Sequence, residues 1–145
     1  MTGYLLDVNV IVALIDPSHV HHDRAHRWFG RTGRSDWLSC PTTQNGAVRI
    51  VSNSRYSNAQ PPSIVVDSVR SLISVGNHRF LPDRISLLDP RLIDADALLS
   101  SGQITDTYLI ALAADAGALL ATFDTRIVTS ALHDSGADHV HVIAR

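Results

Sequence analysis

Three aspartates are the residues of this sequence best suited to chemistry. Asp7 interrupts the apolar run YLLDVNVIVALI, Asp106 opens the segment ITDTYLIALAADAG, and Asp124 closes ALLATFD. A carboxylate among apolar residues is costly to bury unless it is paired or holds a cation. Three carboxylates brought together repel one another, so that one tends to stay protonated. A divalent metal reverses that cost. Mg²⁺ or Mn²⁺ prefers hard oxygen ligands, keeps several waters and bridges carboxylates to a substrate phosphate. Bound there, the ion lowers the pKa of a water and offsets charge growing on a phosphoryl oxygen. Asn9, two residues after Asp7, and Thr122, two before Asp124, suit supporting hydrogen bonds. Taken singly, Asp106 also reads as a first-turn residue favoured by the helix dipole, and Asp124 as a turn residue. Asp7 has no evident local partner.

The elements that must position these acids alternate along the chain. TGYLL reads as a buried strand, VNVIVALID as a helix stopped by Asp16-Pro17, and HHDRAHRWFG as a second helix ended by Gly30. WLSC is a strand, and Thr42 or Thr43 caps a helix through QNGAVRIVSN. SNSRYSNAQPPS is a long internal loop, IVVDSVRSLISV a helix ended by Gly76, RISLLD a strand and RLIDADALLSSG a helix. ITDTYLIALAADAG is a helix capped by Thr105 and Gly117, ALLATFD a strand, and DHVHVIA a closing strand. Strands alternating with helices argue for an α/β sandwich with a mostly parallel sheet. In such sheets the functional crevice lies outside the carboxyl ends of the strands. Asp7 and Asp124 each follow a strand, and Asp106 heads the helix preceding the strand ALLAT. All three therefore fall on one edge.

Composition narrows the chemistry further. The chain has 145 residues, 45% hydrophobic and 18% charged, which fits one folded domain over 1–145. All 12 basic residues are Arg and all 14 acidic residues are Asp, giving a net charge of −2. Chemistry that needs a lysine ammonium is excluded, which disfavours a phosphatase or phospho-acceptor domain. No apolar run is long enough to span a bilayer, and the N-terminus lacks a basic leader, so no membrane or secretory role is expected. The single Cys40 forms no internal disulfide and fits a reducing cytoplasm.

LLDVNVIVALID, ITDTYLIALAADAG and LLATFDTRI together resemble the PIN-domain family, and more narrowly its VapC-type toxins of bacterial toxin–antitoxin pairs. The likeness extends over essentially the whole chain, including HHDRAHRWF. It implies a three-layer α/β/α sandwich and a Mg²⁺- or Mn²⁺-dependent endoribonuclease acting on RNA. It further implies neutralisation by a VapB-type antitoxin, a homodimer, and contact with DNA only through the antitoxin. Carried over by position, Asp7, Asp106 and Asp124 match the family's acidic residues, and Asn9 and Thr105 match polar neighbours in its motifs. The third helix of the family begins with a further glutamate, and in CPTTQNGAVRI the residue matched to it is Gln44. Its amide oxygen still reaches a metal or water but carries no charge. This sustains a second reading, a catalytically impaired PIN domain acting as an antitoxin-binding module.

The remaining polar residues read more plainly. His19, His21, His22 and His26 lack the further ligands of a tetrahedral zinc site and are surface or loop residues. His139 and His141 fall on the less buried face of the closing strand. Arg126, close behind Asp124, either contacts an RNA phosphate or neutralises Asp124. Arg49 either meets an antitoxin carboxylate or is solvated. Trp28, Phe29 and Trp37 read as core.

Overall fold

The computed structural model describes residues 2–145. Strand β1 (Tyr4–Leu6) leads into α1 (Val8–Ile15) and α2 (His22–Arg31). Then come β2 (Trp37–Ser39), α3 (Pro41–Ser52), α4 (Pro62–Ile73) and β3 (His78–Phe80). After a long segment with short 3₁₀ turns follow α5 (Ile104–Asp115), β4 (Leu119–Thr122) and β5 (Val140–Val142). The five strands form one sheet in the order β3-β2-β1-β4-β5, and every pairing is parallel. The register sets Tyr4 beside Leu119 and Trp37, and Leu6 beside Ala121.

Because both faces are covered, the central strands β1, β2 and β4 read as near-continuous apolar runs instead of alternating ones. Successive side chains still point to opposite faces. Leu6 joins one core with Val10, Phe29, Trp37, Val51 and Val69, contributed by α1 to α4 and the sheet. Leu5 joins the other with Leu38, Leu109, Leu112 and Leu120, beneath α5 and the long segment before it. This is the expected three-layer α/β/α sandwich. The chain turns to one side of β1 for β2 and β3 and to the other for β4 and β5. The reversal opens the crevice at the carboxyl end of β1.

Helix α1 is rich in β-branched residues, which favour helix only weakly. Burial holds it instead, since Val10 through Leu14 are all buried. Its last carbonyls are met from α2: His22 Nδ1 lies 2.7 Å from Ala13 O and His26 Nε2 2.8 Å from Leu14 O. These two histidines thus pin α2 to the end of α1. Asp16 closes α1 and is buried, accepting from Asn58 Nδ2 at 2.7 Å, from the Ser18 N–H at 2.9 Å and from the Tyr56 hydroxyl. The Ser- and Asn-rich loop is therefore ordered by one carboxylate.

Several expectations are corrected. RISLLD forms no strand; β3 is instead the short, mostly exposed HRF, an edge strand in which no apolar alternation betrays the pairing. RLIDADALLSSG is not an α-helix, because the Asp94 side chain caps a single 3₁₀ turn at Ala95–Ala97 and Ile93 bridges Leu132. Helix α3 starts at Pro41, with Cys40 as the capping residue and the Thr43 hydroxyl accepting from the Cys40 N–H. Helix α5 starts at Ile104, one residue before the expected Thr105 cap, because a 3₁₀ turn at Ser101–Gln103 runs directly into it. Gly30 lies inside α2 rather than at its end. Gly117 follows the Ala116 cap with φ 67°, as a helix-terminating glycine does. Gly76, with φ 65°, turns the chain into β3, and a Cβ there would meet Arg34 O at 2.2 Å. His141 is not on a solvent face; it packs half-buried against the rings of Tyr4 and Trp28. Among the described residues, no helix is long and apolar enough to cross a membrane.

Candidate active site

A cavity of about 480 Å³ opens at the carboxyl edge of the sheet. Asp7, Asp106 and Asp124 all line it, with Asn9 from α1 and Thr105 from α5. Each reaches it for a local reason. Asp7 stands immediately past β1 and is the N-cap of α1, its Oδ1 accepting from the Val8 N–H at 2.8 Å. Asp106 sits in the first turn of α5, and Asp124 lies two residues past β4.

Asp7 is only 7% exposed, and its second oxygen is not left bare. The fully buried Thr122 donates its hydroxyl to Asp7 Oδ2 at 2.8 Å. The same oxygen, Thr122 Oγ1, accepts from the Asp124 N–H at 3.1 Å. One hydroxyl thus ties two of the acids together across the β1–β4 pairing. Asp124 Oδ1 accepts in turn from the Arg126 N–H at 2.8 Å, an Asx turn that fixes the loop.

The electrostatics are those of unbalanced negative charge. Burial pushes the Asp7 carboxyl up, and the neighbouring Asp124 adds to the rise. The bonds from Thr122 and Val8 oppose it without cancelling it. Burial, followed by the charges of Asp7 and Asp124, pushes Asp106 up to about 6. A hard divalent cation relieves such a set, and carboxylate and amide oxygens are the ligands Mg²⁺ and Mn²⁺ take. Among the described residues no three His, Cys or acidic side chains close into a finished ligand cage. The donor set instead fits an ion that keeps much of its water shell, as Mg²⁺ does.

The α3 wall corrects the reading of the third helix. Gln44 does not face the crevice: its amide donates to Ser39 Oγ at 2.9 Å, and its side chain borders a separate groove between α3 and α4. The crevice is lined instead by Asn45, Gly46 and Arg49. Adjacent helical residues are rotated by about 100°, so a one-residue shift in matching changes the face completely. Gly46 lets α3 close on α1, and a Cβ there would meet Val8 Cγ2 at 2.9 Å. Arg126 is exposed and does not line the cavity, and among the described residues it forms no ion pair with Asp124. Arg49 takes the position facing the acids. Its spacing of four from Asn45 is the signal that places both on one helix face.

A family model described as PIN domain matches residues 4–131. Ribonuclease VapC39 of Mycobacterium tuberculosis is 41% identical over 128 residues, covering 88% of this chain and 92% of that relative. Ribonuclease VapC44 of the same organism is 38% identical over 136 residues, covering 94% and 96%. Ribonuclease VapC38 is 40% identical over 131 residues, covering 88% and 89%. The solved structure of the M. tuberculosis VapC20 toxin superposes with a TM-score of 0.55 at 12% identity, over 86% of this chain and 92% of that one. At that identity the likeness is one of fold.

Proposed function

The chain belongs to the PIN domain family, and on that premise we propose that it is a metal-dependent endoribonuclease, the toxin of a toxin–antitoxin pair. The observation that carries the reading is the convergence of Asp7, Asp106 and Asp124 on one cavity, with Asp106 pushed up to about 6 by burial and then by the charges of the other two. Relatives named ribonucleases, matched over most of their length, support RNA as the substrate.

Asp7 and Asp106, helped by Asp124, would hold Mg²⁺ or Mn²⁺. Bound there, the ion supplies an activated water and neutralises charge on the scissile phosphate. The chain's own groups do the rest. Thr122 donates to Asp7 and, with the Val8 N–H, fixes the orientation of its carboxylate. Asn9, Asn45 and Thr105 offer neutral polar atoms around the acids. Arg49 is positioned to grip an RNA phosphate through its planar fork of donors. Water attacks the phosphodiester phosphorus in line, and the bond to the departing ribose oxygen breaks as that oxygen takes up a proton.

The impaired-module reading loses its basis, since Gln44 lies outside the cavity. In this proposal the protein acts in the cytoplasm as a homodimer, is held inactive by a VapB-type antitoxin and meets DNA only through it. The largely apolar groove of Pro41, Val48, Val66, Val69 and Ile73 shares Asn45 with the cavity and so adjoins it. The test is cleavage of RNA with Mg²⁺, with Mn²⁺ and with EDTA, by the native chain and by Asp7→Asn. Cleavage confined to the native chain with metal is expected; equal cleavage by both proteins refutes the site.

A further inference from the structure

Next to the acidic cavity stands a column of planar groups that the metal chemistry does not require, with Phe123 also packing on the edge of the core. Phe123 directly precedes Asp124. The Arg24 guanidinium carbon lies 4.6 Å from the Phe123 ring centroid. The His21 ring lies 4.9 Å from Phe123 and tilted by 37°, and the His19 ring 5.7 Å from His21. The column is built rather than incidental. Arg24 is fixed by donating from Nε to Ala144 O at 3.0 Å and from its terminal nitrogen to Ile143 O. The loop bearing the histidines is tied down at Asp16, which accepts the Ser18 N–H at 2.9 Å through its side chain and the His19 N–H at 3.1 Å through its carbonyl. His19 Nδ1 accepts the backbone N–H of His21 at 3.0 Å, which sets the His19 ring.

The column carries cationic groups of its own, although Asp23 and Asp124 adjoin it in the chain. Arg24 is held by carbonyls and not by a carboxylate, so its charge is unbalanced. Arg145 is close enough to Arg24 to lower its proton affinity, after the effect of burial. Among the described residues no acid forms an ion pair with Arg24, Arg126 or Arg145. Asp16, the carboxylate nearest His19, is engaged by Tyr56 and Asn58. Planar rings beside a guanidinium that no carboxylate pairs are the chemistry that seats unstacked bases of single-stranded RNA.

We propose that the column His19–His21–Phe123–Arg24 is a nucleobase-stacking subsite, which holds an unpaired base of single-stranded RNA beside the acidic cavity. The proposal rests on the ribonuclease reading and adds to it a determinant of where on the strand the phosphate is presented. The subsite positions RNA and takes no part in breaking the bond.

The test uses two end-labelled ten-unit ligands, a single-stranded RNA and an abasic ribose-phosphate oligomer of equal charge, with binding followed by fluorescence anisotropy. The full chain carrying Asp7→Asn prevents cleavage in Mg²⁺. His21→Ala and Phe123→Leu, added to it, are expected to weaken RNA binding by roughly 5- to 100-fold, the range of one lost base stack. Binding of the abasic oligomer is expected to stay within about twofold. Phe123→Tyr, which keeps an aromatic face and nearly the packing volume, is expected to retain RNA binding and so to separate stacking from misfolding. Unchanged RNA affinity in both variants overturns the subsite, as does equal weakening for both ligands. Metal-dependent RNA cleavage by the native chain leaves the ribonuclease reading standing in either case. Absence of both RNA binding and cleavage in the native chain overturns that reading and the subsite together.

Discussion

Replacing Thr122 by Val tests the site through a residue that touches no solvent. Valine matches the shape of threonine, so the core volume is kept and only the hydroxyl is lost. The Thr122 hydroxyl donates to the Asp7 carboxylate at 2.8 Å and accepts from the Asp124 N–H at 3.1 Å, with Thr122 fully buried. A hydrogen bond to a charged group contributes about 1.5–3 kcal/mol. The Asp124 N–H belongs to an exposed residue and regains a water, so its loss adds about 0.5 kcal/mol. The expected cost is therefore about 2–3.5 kcal/mol at pH 7 in EDTA, a fall in Tm of roughly 6–14 °C for a chain of this size. The sign with pH follows from Asp7, whose carboxyl is already raised from 3.8. Removing Thr122 raises it further, so the ionised form is penalised more and the protonated form less. The destabilisation should grow as pH rises from about 4 toward neutrality. Urea unfolding in EDTA at pH 4.5 and 7 measures this, and Mg²⁺ affinity by calorimetry should drop about 10- to 100-fold. A loss below about 0.5 kcal/mol at pH 7, or one identical at both pH values, refutes the argument that Thr122 stabilises an ionised Asp7.

Three further outcomes are expected. In metal-free protein, Asp106→Asn should stabilise the fold at pH 7.5 and lose that advantage at pH 4.5. A carboxyl raised from 3.8 to about 6 penalises folding as pH rises through that window, which thermal melts in EDTA would show. Gln44→Glu should leave Mg²⁺ affinity and RNA cleavage within about twofold, while Asn45→Asp, which adds a charge at the cavity, should tighten Mg²⁺ binding several-fold by titration calorimetry. Tyr56→Phe should destabilise by about 1.5–3 kcal/mol near neutral pH, since it removes a donor to buried Asp16. Burial pushes Asp16 up, but the bonds from Tyr56, Asn58 and Ser18 outweigh it and hold the carboxyl below 3.8. Their stabilisation is present above that value and fades as pH falls below it, so the variant and parent should converge in acid unfolding experiments.

The amino-acid sequence by itself determined which edge of the sheet bears the three aspartates. A parallel α/β order sends every strand's carboxyl end to the same side, so Asp7 after β1 and Asp124 after β4 had to share one edge, and the pairing of β1 with β4 then brought them together. Asp106, heading the helix before β4, followed from the same alternation. The sequence was less informative where local pattern and structure part. HRF pairs as an edge strand without any alternation of its own, and the segment before α5 has helical spacing but only 3₁₀ turns. Tertiary structure alone decided what surrounds the acids. Thr122 lies 115 positions from Asp7 in the chain, and only the register of β1 with β4 brings its hydroxyl to the carboxylate. The choice between Gln44 and Asn45 depends on how α3 is rotated, which Gly46 packed on Val8 fixes. Arg49 enters the cavity, and Arg126 stays outside it, for that same reason: side-chain direction is set by the docking of whole elements, which no local spacing encodes.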